Sequence, residues 1–498
     1  MKRILTAEQM KRCDSYTIDT VGVPSRELMQ RAAESAFREI MSGGFDLTKV
    51  LCICGTGNNG GDGLAVAMLL QSAGVNVEFF ICGNEERMTE ECRYRYNEMF
   101  RKGITEQTDL DLDGVTLIVD AVLGIGLSGD VRGVAADVIT AVSESGIPVA
   151  SLDIPSGINS DTGAVMGCAV KAELTVAFAR LKPGHVLYPG RSYSGKTVTA
   201  DIGIGEEGIE KDDLRIYSPD DGDVIRMLPE RYPDGHKGTF GRVLVVAGSE
   251  GMCGAAYFSA FGAYRSGAGL VEVLTPRMNM PIIQTKIPEA IVTPWDRDPE
   301  RLLRERLRCA DACVIGPGLG RSSDAVRLVE EVLGCRVPLL IDADGLNIIA
   351  ESDDLRKSLA ARAYPTVITP HMGEMSRLCG CSVGDVCRDP IKIALDFADR
   401  YGVVCVQKSA VTVVAHEGTV YLNPTGCSGL AKGGSGDVLS GVIGAFMASG
   451  KDAFSSAVCG VYLHGRAGET ASEKLSEYSL LASDIADNIG HAILSLKK

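Results

Sequence analysis

VLCICGTGNNGGDGLAVAMLL, residues 50–70, decides how the first half of the chain folds. The apolar run Val50–Cys54 reads as a buried strand, and the run from Leu64 onward reads as a helix. Between them Gly55, Gly57 and Gly60 fit G-x-G-x-x-G, the spacing of a tight strand-to-helix turn whose backbone can approach a dinucleotide. The residues around those glycines depart from an ordinary turn of that kind. Asn58, Asn59 and Asp62 stand where close packing favours small or apolar side chains, so polar groups are being offered to something held there.

Upstream, Thr6 with Gln9 makes a capping box, and Ser25–Met41 repeats apolar residues at helical spacing. Downstream, the apolar runs VNVEFF, VTLIVDAV, PVASLDI and LTVAFA mostly alternate with helix-like segments such as EECRYRYNEMFRKG and VAADVITAVSESG. That alternation is the signature of a parallel sheet covered on both faces. EEGIEKDDLRIYSPDDGDVIRMLPERYPDGHKG is charged, contains Pro and Gly and holds no long apolar run, so it reads as a boundary. The junction is placed near residue 217, giving domains 1–217 and 218–498. The alternation then restarts with GRVLVVAG, a small-residue helix, LVEVLT, ACVIGPG, VPLLIDADG, TVITPH and VVCVQKS. The expected class is α/β, with two layered domains.

Of the 498 residues 65 are acidic and 50 basic, a formal net charge of -15, and no Lys/Arg-rich block stands out. Nucleic acid is therefore not an expected partner. MKRILTAEQMKRC lacks the apolar core of a signal peptide, and no run is long enough to cross a bilayer, so a cytoplasmic protein with no membrane partner is expected. The 16 cysteines are scattered through apolar segments and read as reduced, buried thiols; the six histidines show no zinc-ligand spacing.

Ligands of a parallel sheet sit beyond the carboxyl ends of its strands. There the first domain carries Asn58, Asn59, Asp120, Asp153 and Ser156, together with the glycine-rich loop Gly124–Asp130, whose backbone suits a phosphate. Each Asp or Asn alone fits a helix cap or an Asx turn. Together they read as one site, and their amide, carboxylate and hydroxyl oxygens suit a hard cation, a monovalent one where a single acid supplies the charge. In the second domain GCSGLAKGGSGDVLSGVIGAF, residues 426–446, frees backbone N–H groups at Gly433, Gly434 and Gly436 just before a helix, an anion hole. No G-K-[ST] follows, so it is not a P-loop. Asp437 in that hole suits a base for a hydroxyl that attacks phosphorus; its alternative is a helix N-cap. GPGLG at 316–320, His371 in PHMGE and Lys408 in QKSAVTVV are compatible with a nucleotide, while His371 also fits a hydrogen-bonded strand-end histidine and Lys408 a snorkelling surface residue.

Over nearly its whole length the sequence resembles the bifunctional NAD(P)H-hydrate repair enzymes. The first domain carries GTGNNGGDG, VDAVLGIG and DIPSGINSDTG; the second carries HKGTFGRVLVVAGS, GAAYFSAFGAYRSGAGL, GPGLG, DADGLN, TPHMGE, KSAVT and AKGGSGDVLSG. The resemblance implies a Rossmann-like epimerase domain followed by a ribokinase-like dehydratase domain. Their substrates would be NADHX and NADPHX, nicotinamide rings hydrated at C6. The first domain would interconvert the R and S epimers, and the second would dehydrate the S form with ADP, assisted by Mg2+, giving AMP and phosphate. It also implies where the ligands sit. The hydrate would lie against Asn58, Asn59, Gly60, Gly61, Asp62, Gly124, Ile125, Gly126, Leu127, Ser128, Gly129, Asp130 and the catalytic Asp153, with K+ at Asn59, Asp120 and Ser156. In the second domain the hydrate would lie near Ala255, Gly318, His371 and the catalytic Asp437, and the nucleotide along Lys408, Ser409, Ala410, Val411, Thr412 and Gly436. A homo-oligomer is expected. Two departures stand out: LMQRAA where the family commonly has LMENAG, and Cys427 where it usually has Asn. A ribokinase-like small-molecule kinase fused to a non-catalytic Rossmann-like module would share the GGSGD hole and differ in its product.

Overall fold

The computed structural model describes residues 1–211 and 213–497, in two compact units: Arg3–Asp213, and Met1–Lys2 with Leu214–Lys498. After the short β1 (Lys2–Ile4), the first unit forms β2 (Val50–Cys54), β3 (Val77–Ile81), β4 (Thr105–Gln107), β5 (Leu117–Ala121), β6 (Val149–Leu152), β7 (Leu174–Phe178) and β8 (Lys196–Ala200). These are parallel, in the order β4-β3-β2-β5-β6-β7-β8. All five residues of β2, β5 and β7 are buried, which is why those strands read as continuous apolar runs. The edge strands β4 and β8 are mostly half-exposed and carry no such run, so the apolar pattern passed over them.

The glycines of the opening stretch divide by function. A Cβ on Gly60 would lie 1.9 Å from the Gly55 carbonyl, and one on Gly55 would lie 2.0 Å from the Val122 carbonyl. Those two exist for close packing of turn and helix against the sheet. Gly57, the N-cap of the helix Asn58–Ser72, faces open space and leaves the helix start uncapped by any side chain.

The second unit continues with β9 (Arg215–Ser218), β10 (Arg242–Val246), β11 (Leu270–Pro276), β12 (Ile291–Trp295), β13 (Ala312–Ile315), β14 (Leu339–Ile341), β15 (Thr366–Ile368), β16 (Val404–Gln407), β17 (Val413–His416) and β18 (Thr419–Leu422). Its 11-stranded sheet runs β1-β9-β18-β17-β16-β15-β14-β13-β10-β11-β12. Strands β10 to β16 pair in parallel, and β16, β17 and β18 are antiparallel. Glu417 and Gly418, both at positive φ, make the two-residue turn between β17 and β18.

The stretch read as a boundary holds the division between the two units and also carries elements of its own. It contains β9, paired in parallel with β18, and the helix Asp221–Met227 with its capping box at Asp220 and Asp223. In β9 only alternate residues, Ile216 and Ser218, are buried, so charge and Pro content masked a half-buried strand. The division falls between Asp213 and Leu214, and residue 217 lies inside β9. All 16 cysteines are free thiols, and among the described residues no helix is long and apolar enough to cross a membrane.

Candidate functional sites

In the first unit the strand order turns outward in both directions from the β2–β5 pair, and ligands of such sheets bind in the crevice beyond that switch point. A cavity of about 790 Å³ lies there. Asn58, Asn59, Asp62, the whole loop Gly124–Asp130 and Asp153 line it. Gly60 and Gly61 do not: both are buried, and a Cβ on Gly61 would strike the Met29 side chain. Both shape the turn.

Asp120 and Ser156 lie behind the wall. Asp120 accepts from Ser151 Oγ at 2.8 Å, Ser156 N at 2.9 Å, Ser156 Oγ at 2.5 Å and Val122 N at 3.3 Å. Burial pushes its carboxyl above the ordinary range, and the Ser156 bonds pull it back. Ser156 Oγ also accepts from Leu123 N at 2.8 Å, and Asn59 Nδ2 donates to Leu123 O at 3.1 Å. Asn59 Oδ1 is buried with no partner. An orphaned amide oxygen beside a carboxylate, a hydroxyl and a carbonyl is an all-oxygen donor set of low charge. It fits a monovalent cation, provided the Ser156 hydroxyl turns its hydrogen off Asp120, whose four acceptor positions are otherwise taken.

Asp153 follows β6 at φ 62, the left-handed region that Asp tolerates better than most residues. Its Oδ1 ion-pairs with Lys182 Nζ, a side chain almost wholly buried. Lys182 Nζ also donates to Phe178 O at 2.9 Å. His185 Nδ1 accepts from Lys182 N at 2.9 Å, so its Nε2–H donates to Asp153 O at 2.7 Å. Burial, and then the Lys182 charge, pulls His185 down to about 4, so it clamps the backbone as a neutral ring. Asp62 is pushed well above the ordinary carboxyl range by burial, then by Asp153 and Asp14, against a smaller opposing effect of Arg95. The site thus sets one buried ion pair beside a buried acid whose carboxyl is raised well above its ordinary range. Lys182, Asp14, Met10, Lys11, Phe178 and Ile202 line the cavity without having been singled out in the sequence. Lys182 was within reach, since it follows the end of β7 as Asp153 follows β6.

In the second unit the ends of β13, β14, β15 and β16 each deliver a residue. Gly318, after β13, has φ +57, and a Cβ on it would lie 2.8 Å from Ala255 Cβ; the two make a tight joint at the start of the helix Cys253–Arg265. Asp342 follows β14, His371 follows β15 and Lys408 follows β16. Lys408 Nζ pairs with the buried Asp342 at 2.7 Å, and Ser440 Oγ lies 2.6 Å from the other Asp342 oxygen. The snorkelling reading of Lys408 is thereby set aside. His371 is the N-cap of Met372–Cys379, its Nδ1 accepting from Gly373 N and Glu374 N, while its backbone bridges Lys408. The loop Lys408–Thr412 is the β16–β17 connection, with Ser409 Oγ donating to Val411 O at 2.6 Å.

Asp437 is not a cap. Gly434, at φ +93, is the N-cap of Ser435–Ala448, and Asp437 is the third residue inside. Among the described residues its carboxylate makes no hydrogen bond. Burial, then repulsion from Asp342, pushes it up to about 7, against the pull of Lys408. Glu374 is raised too, by burial first. Asp342, Asp344, Glu374 and Asp437 against one lysine leave the site short of positive charge. No three acids among the described residues converge as a metal cage, so a divalent cation would enter with phosphate oxygens and water, the usual Mg2+ mode. Lys408→Met strands Asp342 in the interior; we expect it to cost about 3–5 kcal/mol, read as a fall in the urea midpoint, beyond any loss of nucleotide binding.

These two sites define a class: an α/β protein with a polar cleft beyond the strand ends of one unit and, in the other, a buried carboxyl in the first turn of a helix that opens on glycines. Comparison with known proteins narrows it. The family model described as NAD(P)H-hydrate dehydratase matches residues 243–491, and the model described as YjeF-related protein N-terminus matches residues 25–184. A bifunctional NAD(P)H-hydrate repair enzyme, Nnr, of Moorella thermoacetica is 35% identical over 518 residues, covering 99% of this chain and 97% of the relative. One from Coxiella burnetii is 36% identical over 482 residues, covering 96% of each. A solved ribokinase-like superfamily protein of Enterococcus faecalis, 26% identical, aligns at a TM-score of 0.50 over 58% of this chain and 98% of its own. The chain belongs to the bifunctional NAD(P)H-hydrate repair enzymes.

Proposed function

We propose that the first unit interconverts the R and S epimers of NADHX and NADPHX, and that the second dehydrates the S form at the expense of ADP. The observation that carries the dehydration reading is Asp437: a carboxyl poised at about 7, free of hydrogen bonds among the described residues, in the first turn of a helix that opens on a glycine anion hole. Asp437 takes the proton of the C6 hydroxyl as its oxygen attacks the terminal phosphorus of ADP, and AMP leaves. The first-turn amides and Lys408 hold the charge that develops on the phosphoryl oxygens. The C6–O bond then breaks, pushed by the ring-nitrogen lone pair; phosphate departs, and loss of a C5 proton restores the C5–C6 double bond. Mg2+ neutralises the nucleotide phosphates when bound.

In the first unit C6 carries both a hydroxyl and the ring nitrogen, a hemiaminal that epimerises by ring opening or by reversible loss of hydroxide. Asp153 moves the proton, and Lys182 holds the carboxylate in place beside it. Potassium, when held by Asn59, Asp120 and Ser156, supplies positive charge at the joint between the Asn58 turn and the loop from Leu123. Replacing K+ by choline should raise the epimerase KM about tenfold, and Asn59→Leu should raise it in K+ and abolish the difference between the two salts.

The proton accounting fixes the pH dependence. A base must be deprotonated to act, and Asp437 holds its proton up to about 7. Dehydration should therefore fall roughly tenfold per pH unit below that point. The raised value also means that the folded unit binds this proton more tightly than the unfolded chain, so stability is lost as pH rises through about 7.

The test is direct: R/S mixtures of NADHX with ADP or with ATP, following the return of dihydropyridine absorbance and the release of phosphate. Recovery of NADH with stoichiometric phosphate supports the reading. A stable phosphorylated product without NADH supports the small-molecule kinase instead.

A further inference from the structure

The start of the helix Ser435–Ala448 has no side-chain cap, and Gly434 before it is in the left-handed region. A turn so loosely begun does not by itself fix where its amides and Asp437 point. Three side chains attach to its first carbonyls instead. Ser259 Oγ, from the helix Cys253–Arg265, donates to Asp437 O at 3.1 Å. Ser440 Oγ lies 3.0 Å from Gly436 O but shares its one hydrogen with Asp342. The third is His464, buried in the long helix Ala453–Ser479, with Nε2 at 3.0 Å from Ser435 O and 3.2 Å from Ser435 Oγ.

The tautomer follows from chemistry. A carbonyl oxygen can only accept, so His464 Nε2 carries the hydrogen. The same nitrogen then cannot accept from Ser435, whose hydroxyl hydrogen stays free for another acceptor. Burial, opposed by the Ser435 backbone bond and assisted by the Lys408 charge, holds the ring down to about 4, so it is neutral in the working range. Nothing in the proposed mechanism uses His464, yet a buried imidazole is retained where an apolar residue would fill the same space at no desolvation cost.

We propose that His464 is a positioning residue of the dehydration site, gripping the Ser435 carbonyl through Nε2–H so that the first turn presents its amides and Asp437 in the reactive orientation. It acts through the backbone and does not touch the substrate. The inference rests on Asp437 being the base.

The experiment compares His464→Leu and His464→Gln, each in the wild-type and Asp437→Asn backgrounds, with S-NADHX and ADP, alongside thermal melting. His464→Leu should lower kcat about tenfold or more, with KM changed less than about threefold. His464→Gln, whose amide N–H reaches the same carbonyl, should recover most of the rate. In the Asp437→Asn background the Leu substitution should change the residual rate less than about twofold, because residues acting as a unit are not additive. A wild-type kcat in folded His464→Leu overturns the proposal and leaves the base reading intact; so does an equal loss in both backgrounds, which marks a general packing effect. An undiminished kcat in Asp437→Asn alone removes the base, and His464 then has nothing to position. Should the Leu variant fail to fold, His464→Asn, whose shorter amide stops short of the carbonyl, gives the same comparison with Gln.

Discussion

Asp437→Asn lowers the dehydration rate by about 10²–10⁴-fold, the range for loss of a positioned general base, and leaves nucleotide affinity nearly unchanged. The reason lies in its position within the turn. Asp437 is the third residue of its helix and caps nothing, so the amide removes a proton acceptor without removing a structural bond. Isothermal titration with ADP and single-turnover dehydration of S-NADHX read the two quantities separately. Parallel loss of affinity and rate would return Asp437 to a structural role. The same substitution carries a stability signature of opposite sign. A carboxylate forced to ionise in a buried, acid-rich site is a cost that grows as pH rises through about 7. Asp437→Asn should therefore gain most in melting temperature over the wild type at pH 8, at least about 2–4 °C, gain less at pH 5 and gain nothing below about pH 4, where the carboxyl is protonated in both the folded and unfolded chain. Such a trade of stability for activity is the expected mark of a functional carboxylate.

Asp153→Asn reduces R-to-S conversion to the spontaneous rate while dehydration of pure S hydrate continues unchanged, because the second reaction uses other residues in another unit. Asn is the better substitution than Ala here, since the φ of 62 strains an alanine. It leaves Lys182 buried without its counter-charge, a cost of about 3–5 kcal/mol. Asp153→Asn with Lys182→Met should recover much of that stability and none of the epimerisation, which separates chemistry from folding. The measurement is complete consumption of an R/S mixture with excess wild-type dehydratase activity present. Consumption by the Asp153 variant above the spontaneous rate would remove Asp153 from the mechanism.

The architecture was legible because the central strands of both sheets are parallel and buried on both faces, so β2, β5, β7, β10 and β13 appear as apolar runs with turn residues behind them. Position at a strand end is a local property, and it exposed Asn58, Asp120, Asp153, His371 and Lys408, while the glycines before a helix exposed Asp437. Half-exposed strands escaped. Arg215–Ser218, read as part of a boundary, and Lys196–Ala200 bury only some of their residues, and what makes them strands is a neighbour to pair with, which no local pattern records.

By itself, then, the sequence determined the class and the ends of the strands that carry chemistry, since both follow from hydrophobic period and glycine spacing within a few residues, while the family rested on resemblance across several long motifs. Only the tertiary structure decided what those residues do to one another. Lys182 becomes the partner of Asp153 from 29 positions away, and His464 reaches Ser435 from 29 positions away on another helix. Asp120 proves to be a saturated acceptor behind the cavity wall, and Asn59 Oδ1 an orphan. Ionisation and hydrogen-bond saturation depend on burial and on which group faces which across the fold. Distance in space sets both, and distance along the chain does not.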